Sequence, residues 1–117
     1  MPRYVVGFVI PVPKKNRAAY TKIAKLGRKV FLQHGALDVH ECVADDVKPG
    51  KLTSFPQSVK LKKNEEVWFS WITFASRRDS NRIMKKVMTD PAMASLDPTG
   101  IMDGKRMFWG GFKEVVS

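Results

Sequence analysis

Apolar positions along the chain change their period several times, and each change marks an element. Tyr4 to Ile10 is a β-branched and aromatic run bounded by prolines, which predicts a first strand. From Asn16, placed as an N-cap, apolar or small residues recur at Tyr20, Ile23, Ala24, Gly27, Val30, Phe31 and His34, the stripe of one helix face. Gly35 suits the left-handed position that closes such a helix, and Ala36 to Ala44 then predicts a second strand. A long connection runs from Asp45 to about Glu66, within which Thr53 to Leu61 fits a short helical turn and an edge strand equally. Val67 to Phe74 predicts the clearest strand. Ser76-Arg77-Arg78-Asp79 has the form of a capping box, opening a second helix with Ile83, Met84, Val87 and Met88 inward and Asp90-Pro91 at its end. Ala92 to Leu96 suits one further helical turn, Asp103-Gly104 is a turn signal, and Arg106 to Val116 predicts the last strand.

The resulting βαββαβ order predicts an α+β, ferredoxin-like fold: a four-stranded antiparallel sheet with both helices on one face. At 117 residues, one domain over 1–117 is expected. The other sheet face carries the more informative pattern. Tyr4, Val6, Phe8 and Ile10 alternate with Val5, Gly7 and Val9, while Val67, Phe69 and Trp71 alternate with Trp68, Ile72 and Phe74, so both faces are apolar. A monomeric antiparallel sheet normally solvates one face, so two-sided burial calls for a second layer, and the chain has no helices left to supply it. A second copy of the sheet would, giving a homodimer closed into a barrel.

Composition narrows the picture further. The 44% hydrophobic and 27% charged content is that of a globular chain, and no stretch approaches a membrane span. Pro11, Pro13 and Lys14-Lys15 interrupt what would otherwise resemble a secretory leader, and the one cysteine excludes an internal disulfide, so a cytoplasmic location is expected. A net charge of +10 brings nucleic acid into consideration. The basic residues are nevertheless dispersed, and VWFSWITF lacks the RNA-recognition signature, so at most weak, salt-dependent RNA contact is expected.

The segments GFVIPVPKKN at 7–16, HGALDVHECVADDVKPGKLTSFPQSVKLK at 34–62, FSWITFASRRD at 69–79 and DGKRMFWGGFK at 103–113 resemble the small uncharacterised bacterial family typified by YbaA. The resemblance spans nearly the whole chain. It implies the dimeric α/β-barrel superfamily, which also contains heme-free monooxygenases and muconolactone isomerase, and it implies no particular activity.

The candidate chemistry is sparse. His34 ends the helical stripe, as either a capping histidine or a general base at the end of the barrel. Glu41 alternates with Val39 and Val43 and is expected to point into an apolar environment, with Arg106 as a candidate partner. His40 and Cys42 form only an i, i+2 pair, short of the three or four ligands a metal needs, so neither a metal nor a cofactor is expected. Trp71 and Trp109 suit both an aromatic ligand cavity and a sheet-to-sheet interface. Gly110-Gly111 suggests a bulge or a close backbone approach. The expected site is therefore a mainly apolar pocket for a small apolar or aromatic molecule, with His34, Glu41 and Arg106 as polar groups and the 45–66 loop as its cover. A cofactor-free monooxygenase- or isomerase-like enzyme is the alternative.

Overall fold

The computed structural model describes residues 2–117. Strand β1 (Tyr4–Pro13) outruns its expected end at Ile10 because its prolines fall where no backbone donor is needed. Val67 accepts from the N–H of Ala44, just past the end of the neighbouring strand, so Pro11, which faces Val67, lies in a non-hydrogen-bonded pair. Its nitrogen points to the other side, past the last pair with the final strand at Val9–Phe108, where the ladder has ended.

After a 3₁₀ turn at Lys14–Asn16, helix α1 covers Arg17–Gln33. Asn16 holds the N-cap position, yet its side chain makes no cap bond; its amide donates instead to the carbonyls of Gly100 (2.9 Å) and Ile101 (3.2 Å). His34 is the C-cap and Gly35 adopts φ 111°, while Ala36 N–H donates to Phe31 and Gly35 N–H to Leu32. That Schellman closure uses the amides of Gly35 and Ala36, so β2 starts later than expected and spans Asp38–Val43.

The ambiguous segment of the long connection forms a helical turn, α2 (Phe55–Ser58), capped by Ser54. Strand β3 (Glu65–Phe74) leads into α3 (Arg77–Met88), where the Ser76 hydroxyl accepts from Asp79 N–H at 3.1 Å. Ile83 and Val87 are buried, but Met88 is 73% exposed rather than inward, because it lies about 100° round the helix from Val87, off the face that meets the sheet. Asp90 caps the short α4 (Pro91–Ala94), and β4 (Phe108–Lys113) is shorter than expected since it pairs only with Tyr4 to Val9.

The sheet is antiparallel throughout, in the order β2-β3-β1-β4. Its helix-side face carries the core, Val6, Val39, Ile72 and Phe74 packing against Val30, Ile83 and Val87. On that face the Tyr4 ring lies across Gly111, where any Cβ would collide with the tyrosine, which accounts for a glycine inside the strand. On the opposite face the connection through α2 covers one end, where Val59 buries Val9 and Val67, and among the described residues no layer covers the rest. Gly7 and Gly110, directly paired, floor a concavity of about 690 Å³ rimmed by Phe69, Trp71, Phe108 and Phe112. Among the described residues, no helix is long and apolar enough to cross a membrane.

Candidate ligand site between the sheet and the first helix

Register decides which polar groups meet. Phe8, Ser70 and Glu41 stand in one row across β1, β3 and β2, all on the helix side. Above them, the α1 stripe brings Tyr20, Ile23, Ala24 and Gly27, leaving a hollow of about 220 Å³. The Tyr20 hydroxyl donates to Glu41 Oε1 at 3.0 Å, and the Tyr20 ring packs edge-on against Trp68 at 4.8 Å. Burial pushes the Glu41 carboxyl above its ordinary pKa, and the tyrosine bond only partly opposes this. Desolvation and the neighbouring carboxylate together push Tyr20 upward too, so its hydroxyl remains a donor across the physiological range. The walls are otherwise apolar: Phe8, Ile10, Phe31 and Ile72, with Met93, Pro98, Met102 and Met107 closing the outer side.

The expected polar trio does not assemble. Arg106 is not the partner of Glu41. It lies just before β4 and makes a two-pronged pair with Glu65 (2.5 and 2.8 Å), a bond to Asp103 (2.8 Å) and two more to the carbonyls of Val59 and Lys60. That pair holds Glu65 below its ordinary pKa, the arginine hydrogen bond being the dominant cause. His34 Nε2 meets Asp90 Oδ2 at 2.8 Å, tying the end of α1 to the start of α4, and this contact lowers the Asp90 pKa. Of the three, only Glu41 lines the hollow.

The aromatic candidates also separate. Trp71 lies on the open face beside Phe69 and within 4.9 Å of the His40 ring. Trp109, opposite Phe8, alternates to the other side at the free edge of β4 and is 58% exposed. Cys42 is an exposed free thiol, and no cluster of three metal-ligating side chains occurs among the described residues. The 45–66 loop does not cover the hollow. Its Phe55 packs on Phe69 and its Val59 on Val9 and Val67, residues of the open face. The cover comes instead from 93–107, anchored by Asn16 through Gly100 and Ile101. Tyr20 and Ser70 bring the hollow's two hydroxyls, and their signal in the sequence is one hydroxyl on each of two apolar faces that must pack together.

The chain matches the family described as "Protein of unknown function (DUF1428)" over residues 3–104. Over 114 residues it is 41% identical to the uncharacterized protein YbaA of Escherichia coli K12, with 97% of each chain covered. The chain belongs to the DUF1428 family. The YbaA protein of Shigella flexneri matches to the same extent. In fold, this DUF1428 member is similar to a nipsnap family protein of unknown function from Agrobacterium tumefaciens, with a TM-score of 0.55, 15% identity, and 95% of this chain and 86% of that one covered. At that identity the likeness concerns the fold alone.

Proposed function

We propose that the protein is a homodimer in which each protomer binds one small, largely apolar or aromatic molecule between the sheet and α1. The observation that carries this reading is the Glu41–Tyr20 pair: a half-buried carboxyl without a cationic partner among the described residues, lining a mainly apolar hollow. Keeping such a group desolvated costs stability, and a ligand with one polar handle would use it for orientation. The methionine-lined cover suits a molecule whose shape varies, because thioether side chains adapt.

The dimer is supported by surface arithmetic. A folded monomer of 13.3 kDa should expose about 6,500 Å², whereas this chain exposes 8111 Å². The excess, about 1,600 Å², is comparable to or larger than what one partner buries in a stable interface. Part of it is the exposed aromatic rim of the open face, Phe69, Phe108 and Phe112. The radius of gyration, 14.8 Å against about 13 Å for a compact chain of this length, and the 21 Å short axis describe a slab with one face to cover.

The test is methionine-methyl NMR with a panel of phenol, indole and cyclohexanone. Ligands should shift the methyls of Met93, Met102 and Met107, and Gly27→Leu, which intrudes into the hollow, should abolish the shifts. Shifts confined to the open face, or none at saturating concentration, would overturn the ligand reading.

A further inference from the structure

Glu41 does more than offer a polar handle. Tyr20 occupies Oε1, while Oε2 has no protein partner among the described residues, and the Glu41 side chain lines the hollow. Directly across on β3 sits Ser70, 3% exposed, lining the same hollow with no side-chain partner for its hydroxyl among the described residues. Cross-strand neighbours hold their Cβ atoms about 5 Å apart, so the Glu41 carboxyl and the Ser70 hydroxyl border the same small volume. A carbonyl group and the C–H bond next to it can bridge that pair. The apolar walls favour an uncharged substrate, and 220 Å³ limits it to about one ring.

We propose that Glu41 is a catalytic base that moves a proton between two carbons of a small monocyclic β,γ-unsaturated ketone, with Ser70 hydrogen-bonding the carbonyl oxygen and Tyr20 positioning the carboxyl. This rests on the ligand-binding reading above. In the first half, Oε2 takes the α-proton; the C–H electron pair enters the π system, and negative charge develops on the carbonyl oxygen, where the Ser70 hydroxyl donates to it. In the second half, the protonated Glu41 returns the proton to the γ-carbon, the double bond moves into conjugation and the carboxylate is restored. Nothing else is consumed, so one carboxyl suffices for both halves. A half-buried carboxylate is a stronger base than a fully exposed one, which suits it to a weakly acidic C–H bond.

The experiment follows conversion of cyclohex-3-enone to the conjugated enone by ultraviolet absorbance on the full chain, with deuterium uptake from deuterium oxide read by NMR. Glu41→Gln should lower kcat/KM by about 10²- to 10⁴-fold and Ser70→Ala by about 10²-fold. Tyr20→Phe removes a bond that favours the carboxylate, so the acid limb of its pH–rate profile should move to higher pH. Binding of the enone, seen in the methionine methyls, without turnover above that of Glu41→Gln overturns the proposal and leaves the ligand reading standing. Absence of enone binding together with failure of the earlier panel overturns both. If Glu41→Gln does not fold, the wild-type profile decides: a rate that fails to rise with pH through a single ionisation overturns the assignment.

Discussion

Gly27 offers the most direct measurement of the space in the hollow. It sits inside α1 on the stripe that faces the sheet, and a Cβ added there meets nothing within 4 Å. Glycine inside a helix is about 1 kcal/mol less favourable than alanine, because the unfolded chain has more backbone freedom to lose. Gly27→Ala should therefore stabilise the fold by about 1 kcal/mol. Unfolding entropy near 2 cal/mol/K per residue over 117 residues converts this to a rise in Tm of about 4 °C. Gly27→Leu should be at least as stable, since its side chain gains apolar contact with Phe31, Val39 and Met93 around the cavity, while ligand affinity falls by at least about tenfold. The assay is thermal unfolding by circular dichroism at fixed protein concentration, paired with the methionine-methyl titration. A Tm lowered by Gly27→Ala would mean that neighbouring side chains fill the space in solution, and the reasoning from an open hollow would fail.

Arg106→Ala leaves the Glu65 carboxylate, whose side chain is 4% exposed, without its partner, and should cost on the order of 3 kcal/mol; chemical denaturation measures it, and Glu65→Leu combined with Arg106→Met should recover most of the loss. Glu41→Gln should alter the pH dependence of stability. The folded carboxyl holds its proton more tightly than the unfolded one, ordinarily at pKa 4.5, so wild-type stability falls as pH rises from there through the raised folded value. The variant lacks that fall, so it should be the more stable at neutral pH, with the two curves converging below about pH 4.5 in denaturant titrations. Phe69→Glu or Phe112→Glu places a charge on the exposed open face, and sedimentation equilibrium should show a shift from dimer to monomer. A wild-type chain that stays monomeric at micromolar concentration would refute the sheet-to-sheet interface.

Sequence alone carried what depends on near neighbours. The 3.6-residue stripe from Tyr20 to His34, the Gly35 closure and the Ser76 cap are local hydrogen-bonding and packing patterns, and they appear where their spacing places them. Two-sided strands were equally legible, because a period of two assigns each side chain to a face before any partner strand is known. What lay beyond reach was which groups meet across elements. Arg106 finds Glu65, 41 residues earlier, because β3 begins beside the turn that precedes β4. Tyr20 finds Glu41 only once α1 docks over β2 and β3 at a particular rotation. Pro11 and Pro13 look like strand terminators in the chain and become harmless once the sheet leaves that edge unpaired. The cover of the hollow shows the same limit. The 45–66 loop and the 93–107 segment are both long enough to reach it, and the side on which each crosses the sheet is set by tertiary packing, Phe55 against Phe69 for one and Asn16 against Gly100 for the other. Periodicity specifies the face of each element, whereas the offset and rotation between elements come from side chains far apart in sequence competing for one core.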